Sequence, residues 1–386
     1  MAELIPSVRV RLRQEHLLLR PVEMYHELIG VLCSSPDVVG ALVGAARSEE
    51  RDAVAETALH VLDARGAALP VFEALLAAEV ASVKAAELLF RSNSAVTKLL
   101  ELYCRLYAAS YRRSTLQPLA ARLLEAPRPC EVDPNRCADG TELRRNWKVL
   151  ITHAHGLWAV VSQSASQVPI PLRRLLAAIR RAVHARFGTS AVGGGDDCVR
   201  AVGAIFFLRF LCPALLRPHH HGVALEPPSD VATRTLTLLT KTLINLVNLV
   251  QFGKKEPFMG EMNDAFIRPT MGAARAFIDA ISQEPPATAI PTNAEAGQPC
   301  YLPRRLALLY AFLRRRPAEV MERAAEKNCS GQARALYGAL HRINPMSADP
   351  LHTEEMLRRF PPSADERAPP PAASAATSAP TAAAAA

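Results

Sequence analysis

Ile205-Phe206-Phe207-Leu208-Arg209-Phe210-Leu211-Cys212-Pro213-Ala214-Leu215-Leu216 is the stretch on which the fold turns. Eleven of its twelve residues are apolar or proline, and the exception is Arg209. A guanidinium keeps its charge at any ordinary pH, so inside an apolar helix it must find acceptors or cost several kcal/mol. Pro213, four residues on, lacks an N–H and crowds the carbonyl of Arg209, which predicts a kink where the only charge sits. Two readings fit this stretch by itself. One is a core helix whose single polar residue snorkels to the surface; the other is an arginine held at the floor of a functional groove.

Around this stretch the composition is that of a helical protein. Of 386 residues, 49% are hydrophobic and only 5% aromatic, with Leu and Ala prominent. The length accommodates one large domain or two small ones. A net charge of +8 calls for an acidic partner, and nucleic acid, an anionic membrane face or an acidic protein would each satisfy it. The eight cysteines are scattered without a CxxC and read as reduced thiols of a cytoplasmic protein. The N-terminus lacks the apolar stretch of a signal peptide, and no uncharged apolar run of about 18 residues is evident, so no membrane span is expected.

Ser7 to Arg13 alternates apolar and basic residues, the period of a strand, and has the look of the last strand of an upstream domain. Helical periodicity begins after His16, with Pro21-Val22-Glu23-Met24 as a helix start, and continues over 36–46, 50–65 and 69–87. A further helix begins near Ser94, because Ala95, Leu99, Leu102 and Leu106 share a face and Ser92, Asn93 and Ser94 are good N-caps. Arg91 therefore falls in a short loop just before a helix, with apolar residues behind it. A solvated loop arginine would look the same.

Helix is expected on through 97–126, then a Pro/Cys-rich break holding Cys130 and Cys137, a weak zinc signal. Long helices follow at 141–165 and 169–187, the second carrying Arg173, Arg174, Arg180, Arg181 and Arg186. Gly193-Gly194-Gly195 reads as a loop and lacks the GK[ST] of a phosphate-cradling loop, while His219-His220-His221 reads as a turn. Ser229-Asp230 opens a buried helix running to about Phe252, with Asn245 and Asn248 on one face and Gly253 as its C-cap. Helices at 261–283, 303–313, 317–327 and 330–343 follow, the last three expected as a smaller C-terminal unit beyond a linker. From Pro361 the Pro/Ala/Ser composition is too poor in core-forming residues to fold.

Three separated stretches resemble the GTPase-activating domain for Ras-like GTPases, of the neurofibromin and synaptic Ras-GAP kind. Leu89-Phe90-Arg91-Ser92-Asn93-Ser94 is similar to its arginine-finger loop. Phe207 through Ala214 is similar to its signature motif, and Arg234 through Met259, with Lys241, Asn245, Asn248 and Phe252-Gly253-Lys254-Lys255, to its third motif. The resemblance covers residues 15–285. It implies an all-α, elongated helical domain with a central catalytic core and flanking extra helices. Residues 1–14 would then be a remnant of an upstream strand or linker, 286–345 a linker plus a C-terminal helical extension, and 346–386 a disordered tail. The stretch before Pro21 and the segment Leu302 to Leu309 resemble the flanks of members that carry upstream PH and C2 domains.

By the same resemblance, Arg91 is a finger inserted in trans into a GTP-bound Ras-like small GTPase, and Arg209 stabilises the finger loop. Phe90, Leu208, Lys255 and Asn248 are the partner-binding residues. The resemblance implies no metal and no cofactor of the chain's own, since magnesium and GTP belong to the partner. It also implies a regulator rather than an enzyme, monomeric, not bound to nucleic acid, and cytoplasmic with peripheral recruitment to the inner face of the plasma membrane. A catalytically silent GTPase-binding scaffold is the alternative, against which retained Arg91 and Arg209 speak. Position 88 is Leu where the family commonly has Thr, which bears on the loop's hydrogen bonding.

Overall fold

The computed structural model describes residues 17–125, 127–137, 139–188, 194–286, 288 and 301–343. The strand expected at 7–13, most of the linker after 284 and the tail from 346 lie outside the described residues. Among the described residues the chain is all-α, with no strand. The helices are α1 (His26–Ser34), α2 (Pro36–Ala45), α3 (Ser48–Asp63), α4 (Ala68–Ser82), α5 (Ala95–Tyr107), α6 (Ala109–Glu125), α7 (Gly140–Gln163), α8 (Ile170–Phe187), α9 (Gly194–Gly203), α10 (Cys212–Leu216), α11 (Asp230–Val247), α12 (Arg268–Ile281), α13 (Leu302–Arg315), α14 (Pro317–Glu326) and α15 (Ser330–Ile343).

The ends of these helices follow from side-chain chemistry. Asp139 and Ser229 accept the N–H of Thr141 and Ala232 at 2.8 and 3.3 Å and so start α7 and α11. Proline occupies the first turn of α2, α8, α13 and α14, where its missing N–H costs nothing. The helix expected over 97–126 is two helices, broken at Ala108, because one apolar pattern runs through both and hides the break. Gly194 and Gly195 open α9 instead of lying in a loop.

α11 stops at Val247, short of Phe252; its C-cap is Asn248, and the left-handed residue that closes it is Leu249, not Gly253. The N–H of Leu249 donates to Leu246 O at 3.1 Å and that of Val250 to Asn245 O at 3.0 Å, the paired bonds of a Schellman motif. Leu249 takes the left-handed position with φ 58°. It is a costly residue there, and its side chain packs against the core in compensation.

The central run from Gly194 to Leu216 is continuous but changes register. Between α9 and α10, residues Ala204–Leu211 form a π-helical stretch, and the Cys212 N–H donates to Phe207 O, five residues back. The expected kink at Pro213 is thus realised as an expanded turn, which redistributes the bonds that proline cannot make. Phe206 and Phe207 are fully buried, and their rings meet Phe277 of α12 at 5.7 and 5.9 Å; Tyr111 of α6 lies 6.1 Å from Phe206. By length and composition the helix Asp196–Leu216 could cross a membrane, but it carries Arg200 and Arg209, so the expectation that no uncharged apolar run of about 18 residues occurs is not overturned. The helix is 72% buried inside the protein and serves as its core helix.

The C-terminal helices do not stand apart. α13 packs on α3, α14 on α2 and α15 on α1, within one continuous hydrophobic core. Ion pairs edge these contacts: Arg305 to Glu56 at 2.8 Å, Arg316 to Glu50 at 2.9 Å, and Arg342 to Glu27. The Arg342 pair is open to solvent and contributes at most about 1 kcal/mol; the other two are partly buried, where loss of hydration offsets much of the attraction, so the apolar faces carry the docking.

Three histidines are held below the ordinary imidazole range. Burial lowers His60, with Arg305 adding to it; burial lowers His153, with Arg128 and Arg122. His221 is pushed down to about 4 by burial and then by Arg112 and His220. In the unfolded chain these rings take up a proton near pH ~6.5, so below that the unfolded state binds more protons. Stability is therefore full above pH ~6.5 and is lost on acidification toward 4. The melting temperature is expected to fall over that range, and H221Q to flatten part of the slope; an unchanged slope in the variant would contradict this.

Candidate functional site

The site is built where two distant segments meet. After α4, a 3-10 turn (Ala86–Leu88) leads into Leu89 and Phe90, which are 2% and 1% exposed, and then Arg91, Ser92 and Asn93 emerge into solvent. Phe90 has φ 56°, a left-handed conformation that a bulky residue adopts only under compulsion. It reverses the chain so that an anchored ring is followed at once by a projecting arginine. Phe90 was expected among the partner contacts. Its ring is buried, so the side chain offers a partner no surface and works as the loop's anchor.

Ser94 then starts α5 by accepting the Thr97 N–H at 3.1 Å, and its own hydroxyl donates to Glu79 of α4 at 2.9 Å. The Thr97 hydroxyl donates to Ser92 O at 2.9 Å.

Arg209 enters from the π-helical stretch. Its Nε donates to Phe90 O at 3.2 Å; Nη2 donates to the carbonyls of Phe90, Arg91 and Ser92 at 3.1, 2.8 and 2.9 Å; Nη1 donates to Asn93 Oδ1 at 2.9 Å. Four consecutive residues of the loop are thus held by one guanidinium. Hydrogen bonds from a charged donor are roughly twice as strong as neutral ones, and a planar fork fixes direction as well as distance. The charge that looked misplaced in the apolar run is satisfied by loop carbonyls more than a hundred residues away in sequence.

Leu88 is exposed, and its carbonyl accepts the Arg91 N–H at 3.4 Å. The bonds that hold the loop run from Arg209 to backbone carbonyls and Asn93, and none of them involves the side chain at position 88. Behind the loop lies a polar cavity of ≈ 180 Å³, lined by Asp52, Asn93, Lys98 and Arg209 among others, in which Lys98 pairs with Asp52 at 2.7 Å. This pair ties α5 to α3.

Leu208 is half-buried beside Arg209. Asn248 is half-buried at the end of α11, its carbonyl accepting from Arg200 Nε at 3.4 Å. Lys254 and Lys255 are exposed on the following loop. That loop is fixed by Asn263, which is 8% exposed: the Phe252 N–H donates to its Oδ1 at 2.8 Å, and its Nδ2 donates to Phe252 O at 3.0 Å. Lys241 pairs with Glu256 alongside. α11 packs against the π-helical stretch, but among the described residues neither Asn248 nor Lys255 makes a hydrogen bond to the Arg91 loop.

Sequence reasoning treated Asn93 only as a candidate cap and passed over Glu79, Thr97 and Asn263 as functional supports. The one available signal was that Asn93 adjoins the arginine and sits before, not at, the cap.

Comparison with known proteins bears on what this arrangement serves. Residues 71–142 and 140–248 match the family described as GTPase-activator protein for Ras-like GTPase. The "Probable Ras GTPase-activating-like protein ngap" of Dictyostelium discoideum is 30% identical over 346 residues, 87% of this chain and 38% of the relative. "RAS protein activator like-3" of Homo sapiens is 34% identical over 72% of this chain and 27% of its own length. "Ras GTPase-activating protein raskol" of Drosophila melanogaster is 29% identical over 73% of this chain and 18% of its own. The chain thus spans well under half the length of these curated relatives.

The clamp generates a direct expectation. R209K leaves a charge but only a point donor, unable to reach four residues at once. Amide exchange across 89–94 is expected to accelerate in this variant while that of α7 is unchanged. Equal protection of the loop in variant and native chain would refute the clamp.

Proposed function

The chain carries a domain of the Ras-like GTPase-activator family, and from that premise we propose that it stimulates GTP hydrolysis by a Ras-like small GTPase, inserting Arg91 in trans into the partner's active site. The observation that carries this reading is the loop itself: an exposed arginine between a buried anchor and a capped helix, with its backbone gripped by Arg209. During hydrolysis negative charge concentrates on the phosphate oxygens and the leaving oxygen. A cation fixed at that place before the reaction stabilises the transition state more than the ground state. A mobile arginine would have to be ordered at the moment of reaction, and the clamp removes that cost in advance.

Arg209 on this reading is a positioning residue. Its guanidinium is occupied by the loop and has no nitrogen left over for phosphate. Leu208 lies beside the loop, and Asn248 and Lys255 extend the contact with the GTPase along the end of α11. The nucleotide and its magnesium come with the partner, so the chain is a regulator that completes another protein's site and needs no cofactor of its own. The excess of basic residues suits an acidic GTPase surface, through steering as well as contact. The chain would act as a monomer in the cytoplasm, without nucleic acid, drawn peripherally to the inner face of the plasma membrane where lipidated GTPases sit.

The test is single-turnover GTP hydrolysis by a panel of Ras-like GTPases with the native chain and with Arg91→Ala. Stimulation is expected for at least one of them, falling by about 10³-fold or more in the variant while binding to the GTP-loaded form survives; that range is carried over from trans-acting fingers on Ras itself. Binding without stimulation by the native chain would replace this reading with the silent scaffold.

A further inference from the structure

Away from the finger loop, one cluster of cations has no counter-charge. Arg112 of α6 is 7% exposed. Its Nη2 donates to His221 O at 3.1 Å, and its guanidinium carbon lies 5.5 Å from the centre of the Phe210 ring. Its Nε is buried with no hydrogen-bond partner. Arg113, the next residue, is exposed and reaches the same turn: a β-carbon on Gly222 would stand 3.6 Å from its Nη2. The turn is the 3-10 segment Pro218–His221, preceded by exposed Arg217 and carrying three histidines. His219 Nδ1 is a second buried nitrogen without a partner.

Among the described residues, Arg112, Arg113 and Arg217 form no ion pair with a carboxylate. Arg105, a further cation that acts on Arg112 and His221, is already taken up by Glu56 at 3.0 Å. The groups that perturb His221 most after burial are Arg112, His220, Arg105 and Arg217, with no acid among them. A buried guanidinium needs a compensating charge as well as acceptors, and one carbonyl and a ring face supply only part of it. Like charges gathered from two segments 109 residues apart are costly to fold together. What would turn the cost into a gain is a compact anion with several acceptor oxygens and more than one charge. Phosphate has that character, since it accepts two parallel bonds from each guanidinium and carries close to two charges as a monoester.

We propose that Arg112 and Arg113 of α6, together with Arg217 and the His219–Gly222 turn facing them, form a binding site for a phosphate-bearing anion, either a soluble polyphosphate or the phosphorylated headgroup of a lipid. The two sources differ in what surrounds the phosphate. Leu225, fully exposed, and Leu216, at 36%, flank the turn and would meet the apolar boundary of a bilayer but offer nothing to a free ion. Arg112 also lies one ring away from the clamp, because Phe210, which it overlies, adjoins Arg209. Occupancy would therefore settle the core beside the residue that holds the finger loop. The site is separate from the loop and stands whether or not Arg91 acts on a GTPase.

The experiment uses the full chain and two probes. Inorganic pyrophosphate is titrated against sodium chloride of equal ionic strength, with the melting temperature as readout. Phosphatidylcholine vesicles, with and without a doubly phosphorylated phosphoinositide, are used in sedimentation. The variant is Arg113→Ala with Arg217→Ala, both exposed. Arg144→Ala with Arg145→Ala on α7 is the control that removes the same charge elsewhere.

A saturable rise in melting temperature with pyrophosphate, lost in the variant and kept in the control, supports the site and names a soluble anion as sufficient. Sedimentation with phosphoinositide vesicles that is lost only in the variant, with no pyrophosphate shift, supports it with a lipid as the source. No effect of either probe beyond chloride, or equal loss in variant and control, overturns it.

Discussion

A guanidinium that cannot lose its charge has to be met by oxygen, and here the oxygen comes from the backbone of a loop more than a hundred residues away. Arg209 donates to the carbonyls of Phe90, Arg91 and Ser92 and to the amide of Asn93. The dependence runs both ways. Without the loop, the core helix would carry an uncompensated charge; without Arg209, the carbonyls of Phe90 and Arg91 would have to be satisfied by water, that of Ser92 would keep only the Thr97 hydroxyl, and the loop would not hold one shape.

Two strained features become intelligible from this contact. The π-helical stretch opens the turn around the arginine, and Pro213 makes a regular α-helix there unavailable in any case. Phe90 sits in the left-handed region, a conformation costing about 1–3 kcal/mol. Burying its ring returns a comparable amount, and Arg209 bonds to the carbonyl that the unusual turn exposes. The strain is thus held between an apolar anchor and a charged clamp, and its product is the exposed side chain of Arg91.

Much of this was legible in the sequence because it rests on local chemistry: a charge in an apolar run, a proline four residues later, serines before an amphipathic helix. Burial patterns placed most helices within a few residues. What stayed hidden is set by geometry at a distance. An eight-residue stretch is too short for its apolar spacing to separate π from α register. A leucine in the capping position of α11 defeats the rule that looks for glycine, since its packing outweighs its backbone preference. Asn93 and Asn263 look like any polar residues until their partners are known. Amphipathic faces at 302–343 announced burial but not that they would bury against α1, α2 and α3. Phe90 read as a contact residue because it neighbours Arg91, whereas the fold needs its ring inside.

On the proposed function, Arg209 acts through the placement of Arg91 and has no independent effect on GTP hydrolysis. The most direct measurement is a double-mutant cycle on stimulated GTP hydrolysis with Arg91→Ala, Arg209→Ala and both together. Arg209→Ala is expected to cost about 10²-fold in the native chain, yet almost nothing further once Arg91 is gone. Additive losses would mean that Arg209 contributes on its own, and the clamp would no longer explain the site.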